Sequence, residues 1–275
     1  MQILSMHERV RKGFILLDKW RGPTSHDVSS KIKKLIGAKK VGHIGTLDPQ
    51  VSGMLPLLVG EATKIAPLLQ KSDKEYVGVM HLHKDIRDKE LKDAIKQNIG
   101  TVTQKPPVKS AVKREERQRK VYSFKMLEQS GKDVLFQTRC ESGTYVRVIC
   151  HSIGKMIGGA HMKELRRISV SSFTEKELVK FQNISDAIYE SNKGDDTNLE
   201  KVIHSVEYAL KDVKKIHIND SFLNAVKNGT PLRQEGIKKK DIAEEGEHVA
   251  VMHADKIVAV GIVQKNCIKI DRVID

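Results

Sequence analysis

Cysteine, aromatic residues and long apolar runs are all scarce in this chain of 275 residues. Its three cysteines are odd in number and widely spaced, which favours reduced thiols over a disulfide framework or a zinc site. Only 4% of residues are aromatic, which argues against binding through an extensive stacking surface. No apolar run approaches the ~20 residues of a membrane span, and charge interrupts residues 1–9 too early for a signal peptide. We therefore expect a cytoplasmic protein.

Positive charge, by contrast, is abundant. Lysine and arginine number 49 against 35 aspartates and glutamates, a formal net charge of +14. This excess favours a polyanionic partner. Nucleic acid is favoured over an acidic membrane because no basic amphipathic helix with a bulky apolar face stands out. The length suits one large domain or two ordinary ones.

The apolar pattern predicts a mixture of helices and strands with a boundary in the last third of the chain. An apolar run at 14–17 predicts a buried strand, and apolar positions 28, 32, 35 and 36 predict a helix capped by Thr24 or Ser25. Residues 74–83 alternate as in a strand. The stretch 191–198 has no apolar residue and predicts a linker. Beyond it, short strands joined by a tight turn predict a small β-barrel.

One acidic residue, Asp48, stands out in the segment 41–49, which contains two glycines. Pro49 biases Asp48 toward extended geometry. A carboxylate held in this way, with the imidazole of His43 nearby in sequence, could attack or orient a substrate. Alone, however, aspartate before proline is a common start of a turn. Segment 41–49 indicates a function only in combination with other motifs of the chain.

Other polar residues are also ambiguous when taken singly. Tyr76 fits the edge of a core, Arg147 fits a solvated strand, and the pair Arg166-Arg167 fits surface charge. His81 and His83 share one strand face, but two histidines without a third ligand do not predict a metal site. The basic segment, residues 105–120, has a stiff Pro-Pro start and carries seven cations against two glutamates, which suits phosphate contact. Its cations are Lys105, Lys109, Lys113, Arg114, Arg117, Arg119 and Lys120.

Together and in this order, these motifs resemble the TruB class of RNA pseudouridine synthases. The likeness is strongest to the archaeal and eukaryotic dyskerin-like catalytic subunits of H/ACA ribonucleoproteins. It runs from about residue 14 to residue 173, and more loosely into a C-terminal module that resembles a PUA domain, an RNA-binding barrel. The stretches that carry it are 17–19 with 22–26, 42–49, 74–83, 104–114, 143–147 and 161–167.

The resemblance implies a mixed α/β (α+β) fold in two domains. A catalytic domain with a mixed, mostly antiparallel sheet flanked by helices is expected over 10–188. A linker over 189–212 and a PUA barrel over 213–275 follow, with residues 1–9 packing on the barrel. The chain departs from the family at Trp20, where proline is usual, at Ile44, where a small residue is usual, and at Ser171, where glycine is usual.

The resemblance also implies a function, the isomerisation of specific uridines to pseudouridine in RNA. The targets are rRNA sites chosen by H/ACA guide RNA, uridine 55 in the tRNA T-loop, or both. A stand-alone tRNA enzyme and a catalytically silent RNA-binding scaffold stay open as alternatives. Implied partners are tRNA, rRNA, guide RNA, small H/ACA proteins of the Nop and Gar types, and a kink-turn-binding protein, with no membrane. No cofactor or metal is implied, because the reaction neither oxidises nor hydrolyses its substrate.

Site roles follow residue by residue from the resemblance. Asp48 matches the catalytic aspartate, Tyr76 the tyrosine that packs on the target base, and Arg147 the arginine that pairs with the aspartate. His43 matches a histidine that helps to hold the RNA with its target nucleotide flipped out, and Lys19 a mainly structural lysine. The basic segment corresponds to a thumb-like region that grips RNA. Further RNA-binding candidates are Lys113, Arg114 and Arg166.

Overall fold

Two β-sheets with helices packed around them form the fold of the computed structural model, which describes residues 6–106 and 113–274. No helix in these ranges is both long and apolar enough to span a bilayer. The helices are α1 Met6–Arg11, α2 Ser25–Leu35, α3 Ala66–Gln70, α4 Asp88–Gln97, α5 Val146–Met156, α6 Phe181–Ser191, α7 Leu199–Val202 and α8 Leu223–Lys227. The strands are β1 Gly13–Lys19, β2 Val41–His43, β3 Ser52–Val59, β4 Lys74–Leu82, β5 Gly100–Gln104, β6 Arg117–Ser130, β7 Asp133–Cys140, β8 Ala160–Val170, β9 Phe173–Thr174, β10 His204–Ser205, β11 Lys215–Ile218, β12 Ile237–Lys240, β13 His248–His253, β14 Lys256–Val263 and β15 Ile268–Val273.

The larger sheet runs in the order β10-β1-β3-β8-β4-β7-β6-β5, with β2 paired to β3 and β9 to β8. The β3–β8 pairing is parallel, and its neighbours on both sides are antiparallel. This confirms the expected mixed, mostly antiparallel sheet. Two parts of this sheet carry candidate site residues. The loop from β2 to β3 carries Asp48, and the strand pair β4–β8 carries Tyr76.

Local sequence explains the elements that support this loop. Thr24 caps α2 in a capping box: the Asp27 N–H donates to the Thr24 hydroxyl at 3.0 Å, and the Asp27 carboxylate accepts from the Thr24 N–H at 3.0 Å. The apolar stripe of α2, with Val28 and Ile32, is buried. Because Thr24 serves as the cap, the buried hydroxyl of Ser25 is available for another partner.

The C-terminal sheet, β11 to β15, runs in the order β12-β11-β13-β14-β15. It shares a hydrophobic core with the larger sheet, because Phe14 and Leu16 of β1 belong to the same buried cluster as Ala250, Met252 and Val260. An apolar interface therefore joins the two sheets.

The prediction that residues 189–212 form a linker is wrong, because this segment is folded and packed against the rest of the chain. It contains the end of α6, all of α7 and strand β10, which pairs with β1. Leu199, Ile203 and Leu210 are fully buried. The polar stretch 191–198 is only the turn that leads into this packed segment, which is why composition alone misplaced it.

The N-terminal packing also differs from expectation. Helix α1 packs against β1 and β3 of the larger sheet. Its Arg9 is buried, donates to the Ile203 carbonyl and pairs with Glu200 at 3.4 Å. Residues 6–9 therefore pack on the larger sheet, and residues 1–5 lie outside the described part of the chain.

The turn between β8 and β9 places Ser171 in the left-handed region, with φ of 56°. Side chains are strained there, which gives a physical reason for the glycine that the resembling family has at this position. The Ser171 hydroxyl donates to the Asp212 carboxylate at 3.1 Å, and this bond offsets part of the strain.

Replacing Ser171 separates these two effects. Ser171→Ala loses the bond to Asp212 and keeps the strain, so we expect a loss of about 1 kcal/mol in unfolding free energy. Ser171→Gly loses the same bond but relieves a strain of roughly 1 kcal/mol, so its stability should stay near that of the parent protein. Urea denaturation measures both, and a glycine variant no more stable than the alanine variant would contradict the interpretation.

Candidate active site

The Asp48 loop, residues 47–51, is held from beneath by Lys19, whose side chain is fully buried at the end of β1. The Lys19 ammonium donates to the carbonyl oxygens of Val51 at 2.9 Å, Trp20 at 3.0 Å and Pro49 at 3.2 Å, and lies 3.5 Å from that of Asp48. Burial lowers the pKa of Lys19, and the Asp48 carboxylate opposes the shift. A buried ammonium needs such partners in place of water. The loop must therefore keep these carbonyls turned inward.

Two further contacts fix the same loop from the α2 side. The hydroxyl of Ser25 accepts from the Leu47 N–H at 2.9 Å and lies 3.0 Å from the Leu47 carbonyl, to which it donates. The Gly22 N–H donates to the Pro49 carbonyl at 2.9 Å. Together with Lys19, these bonds hold the backbone on both sides of Asp48.

Asp48 pairs with Arg147, as the resemblance implies, with Nη2 of Arg147 3.1 Å from Oδ2 of Asp48. The Asp48 side chain is 50% exposed and that of Arg147 47% exposed. A pair this exposed contributes at most ~1 kcal/mol, so a substrate can reach the carboxylate at little cost. The pair orients Asp48 more than it stabilises the fold.

Arg147 lies in the first turn of α5, which rules out the alternative interpretation of Arg147 as a solvated strand residue. The turn contains no acidic residue, and the positive end of the helix dipole disfavours a cation there. A residue that breaks a local preference in this way is typical of a functional site.

Tyr76 projects from β4 into the core beneath the site and is 8% exposed. It pairs in register with Arg167 of β8, and both side chains are buried on the same face of the sheet. Burial raises the pKa of Tyr76, and the positive charge of Arg167 only partly opposes this. Tyr76 is therefore a neutral phenol at rest, suited to packing on a base and to hydrogen bonding.

Arg167 is a site residue that the sequence interpretation missed. It is 1% exposed, and its Nε donates to the Met54 carbonyl at 2.7 Å. A Cβ added to Gly45 would lie only 3.0 Å from Nη1 of Arg167, and the φ of Gly45 is +70°. Position 45, which precedes the Asp48 loop, therefore requires glycine. One signal was available: Arg167 lies two residues after the buried Leu165, so both share the inner face of β8.

Arg166, the neighbour chosen from the sequence, faces the other side of the sheet. Its guanidinium binds the Asp18 carboxylate at 2.9 and 3.1 Å and the Glu175 carboxylate at 2.6 Å. The structure does not bring it to Asp48. An RNA contact by Arg166 stays a prediction, and RNA would have to compete with both acids.

Lys74 is a second missed residue, two positions before Tyr76 on the same face of β4. It is 4% exposed, and its ammonium donates to the Gln70 carbonyl at 3.2 Å, the Ser142 hydroxyl at 3.0 Å and the Ser72 carbonyl. Burial, followed by the charge of Arg167, lowers the pKa of Lys74 to about 8. It ties the end of α3 to the connection that leads into α5.

His43 lies in β2 at the start of the loop connection, with both ring nitrogens engaged. Nδ1 is 3.1 Å from the Ser29 hydroxyl and Nε2 is 3.1 Å from the Thr46 hydroxyl. Burial, followed by the charge of Arg167, lowers the pKa of His43, which is therefore neutral near pH 7. A contact between His43 and RNA would be uncharged.

The basic segment is only partly described, since residues 107–112, including Lys109, lie outside the described ranges. Lys113 pairs with Glu115, and Nε of Arg114 donates to the Pro106 carbonyl at 3.4 Å. Neither contacts Asp48 in an observed hydrogen bond or ion pair among these described residues, so their RNA-binding role stays a prediction.

Trp20, at the family's usual proline position, packs edge-on against Phe181 of α6 with ring centroids 5.7 Å apart. The Lys31 ammonium lies 4.6 Å from the Phe181 centroid and 5.6 Å from that of Trp20. Trp20 is 37% exposed. The substitution thus joins the first loop to α6.

His81 and His83 lie on one face of β4 and the chain just after it, as predicted, with separate partners. His81 Nδ1 is 2.6 Å from the Asp133 carboxylate, and His83 Nε2 is 2.9 Å from Nδ1 of His161. Across residues 6–106 and 113–274, no group of three or more potential ligands is arranged to hold a metal ion.

The site thus combines one accessible carboxylate, its arginine partner and a buried neutral tyrosine, a set suited to chemistry on a base or sugar without a cofactor. Two family models match the chain: "TruB family pseudouridylate synthase (N terminal domain)" over residues 33–146, and "tRNA pseudouridylate synthase B C-terminal domain" over residues 147–211. A probable tRNA pseudouridine synthase B from Pyrobaculum arsenaticum is 43% identical over 93% of this chain and 78% of its own length. One from Methanocaldococcus jannaschii is 40% identical over 94% and 83%. The chain belongs to the TruB family of pseudouridine synthases, which isomerise uridine in RNA.

Solved structures agree with this assignment and confirm the predicted mixed α/β fold. The chain is similar to one in the crystal structure of a Cbf5-Nop10-Gar1 complex, with a TM-score of 0.92 and 38% identity over 99% of this chain and 88% of that one. It is also similar to one in an H/ACA RNP bound to a substrate RNA containing 2′-deoxyuridine, with a TM-score of 0.87 and 36% identity over 98% and 86%.

The buried Lys19 provides a test of how the loop is held. Lys19→Met keeps the length of the side chain but leaves inward-facing carbonyls without their donor, so we expect a loss of roughly 1–3 kcal/mol in stability together with reduced pseudouridine formation. Lys33→Met on the exposed face of α2 is the matched control. Denaturation and activity would be measured on both. A Lys19→Met variant that matches the control in both would show that the ammonium is dispensable.

Proposed function

We propose that this chain is the catalytic subunit of an H/ACA ribonucleoprotein, which isomerises rRNA uridines selected by guide RNA, and that it also acts on uridine 55 of tRNA. The observation that carries this proposal is the likeness to the Cbf5-Nop10-Gar1 complex over 99% of the chain. The tRNA activity is supported by the names of the curated relatives. A net charge of +14 suits a protein that works on RNA.

Asp48 is the proposed catalytic carboxylate. The reaction breaks the N–C bond between uracil and ribose, rotates the base and joins it to the same sugar carbon through a ring carbon. Attack by Asp48 on the sugar, attack on the base and a glycal-type elimination all use an accessible carboxylate beside Arg147. Each route is an isomerisation: the ring carbon that joins the sugar loses a proton, the released ring nitrogen gains one, and the composition of the substrate is unchanged.

Tyr76 and His43 have supporting roles in this proposal. The target base must leave its stack at a cost of a few kcal/mol, and the phenol of Tyr76 offers a packing surface for it. Because burial keeps Tyr76 in its neutral form, Tyr76 can accept a proton only after it has lost its own, and the positive charge of the adjacent Arg167 favours the phenolate that this requires. Neutral His43 would contact the displaced RNA through van der Waals and hydrogen-bond contacts.

The proposed partners follow from the same likeness. They are guide and substrate RNA, small proteins of the Nop and Gar types, and a kink-turn-binding protein. Residues 213–275 would form the RNA-binding PUA domain, joined to the catalytic domain over 10–188 by the packed segment 189–212. We propose a cytoplasmic location, in keeping with three free cysteines.

The proposed function is tested by assaying pseudouridine in a tRNA and in a guided target, each with and without guide RNA and the Nop- and Gar-type proteins. We expect guide-dependent product in the second RNA and guide-independent product in the tRNA. Asp48→Asn keeps the shape but removes the carboxylate, and should abolish both products while RNA still binds. Product from tRNA alone would support the stand-alone enzyme, and binding without any product would support the scaffold.

The role of the basic segment is tested by the salt dependence of RNA binding. Neutralising Lys113 and Arg114 to glutamine should flatten the slope of log affinity against log salt by up to ~0.9 per lost phosphate contact, less for single strands. The exposed Lys92 and Lys96 of α4, changed to glutamine, remove the same charge elsewhere. Equal slopes in the two double variants would mean that the segment is only a solvated surface.

A further inference from the structure

Gln104, the last residue of β5, binds the backbone of Tyr145 with both ends of its carboxamide. Its Oε1 accepts from the Tyr145 N–H at 2.9 Å, and its Nε2 donates to the Tyr145 carbonyl at 3.2 Å. Gln104 is only 4% exposed. Two bonds from one planar group to one residue fix orientation as well as distance, and burial shields both from water.

The residue that Gln104 holds is the one at the entrance to α5. Tyr145 occupies the N-cap position and provides no side-chain cap to the helix. Arg147 follows two residues later and reaches Asp48. Because the half-exposed pair of Asp48 and Arg147 contributes little by itself, the position of Arg147 depends on how the start of α5 is anchored.

On its C-terminal side, Gln104 is followed directly by the basic segment. Lys105 follows it, and Pro106 is buried. Arg114, on the returning part of the segment, donates to the Pro106 carbonyl. The described ends of the segment therefore meet close to the residue that holds Tyr145, with one residue between Gln104 and Pro106.

We propose that Gln104 is a positioning residue that couples the described ends of the basic segment, where Pro106 meets Arg114, to Arg147. When RNA binds at these ends, Gln104 transmits the position of Pro106 to the start of α5, and so sets the guanidinium of Arg147 against Asp48. The RNA part of this inference rests on the proposed function. The positioning part rests on the two hydrogen bonds to Tyr145. Gln104 itself does not contact the reacting atoms.

The test compares Gln104→Leu, which removes both bonds at similar volume, with the parent enzyme in single-turnover pseudouridine formation at saturating RNA. We expect the rate to fall on the order of 10- to 100-fold, since displacements of about 1 Å can have such effects, while the RNA dissociation constant stays near the parent value. Gln129→Leu is the matched control, because Gln129 also donates to a backbone carbonyl but lies at the far end of β6. An unchanged rate, or a loss of affinity equal to the loss of rate, would overturn the proposal.

A double-mutant cycle identifies the route through Arg147. In an Arg147→Ala background, Gln104→Leu should cause little further loss of rate, because the group that it positions is gone. A further loss as large as in the parent would overturn the coupling. If Gln104→Leu does not fold, Gln104→Glu keeps the acceptor for the Tyr145 N–H, loses the donor when ionised, and enters the same cycle with the same criteria. A parent enzyme without activity would instead contradict the proposed function.

Discussion

The buried ammonium of Lys19 is the interaction on which the geometry of the Asp48 loop depends. A charge in that position must be surrounded by oxygen atoms, and the backbone carbonyls of Trp20, Pro49 and Val51 supply them. The loop cannot relax outward without leaving the ammonium unsolvated. The stiffness of Asp48 thus comes less from Pro49 alone than from a cation that penalises every other arrangement of its neighbours. Ser25 adds a second anchor through Leu47 and restricts the loop on the helix side.

Around Lys19, the cations of the site lie below the surface, whereas the carboxylate of Asp48, paired with Arg147, lies at the surface. Lys19, Lys74 and Arg167 are all buried, and the charge of Arg167 lowers the pKa of both lysines in addition to the effect of burial. The mutual repulsion is offset by carbonyl and hydroxyl oxygens rather than by buried acids. His43 and Tyr76 stay neutral in the same field. Polyanionic RNA therefore meets a site whose excess positive charge is fixed in place before binding.

Periodicity predicted much of the fold but little of the site. The alternation of β4 and the capped stripe of α2 are set by burial on one face, so the sequence displays them directly. The pairing of Asp48 with Arg147 joins residues 99 positions apart and was foreseen only through resemblance to a family. Arg166 and Arg167 are chemically identical, and only strand register distinguishes the half-buried Arg166 from the fully buried Arg167. Gln104 opens one of the stretches that carry the resemblance, but the sequence did not show its role, because a lone glutamine acquires that role from a backbone that folds against it.

Trp20 has a consequence for spectroscopy. It is the sole tryptophan of the chain, and its own carbonyl is one of the oxygens that surround Lys19. Its partly exposed indole packs on Phe181 beneath a lysine ammonium. When tryptophan is excited selectively over the five tyrosines, the emission of the unlabelled protein therefore originates from one place, next to the Asp48 loop. In a single cuvette, the intensity and wavelength of that emission report how the loop responds to RNA, without a dye or an added probe.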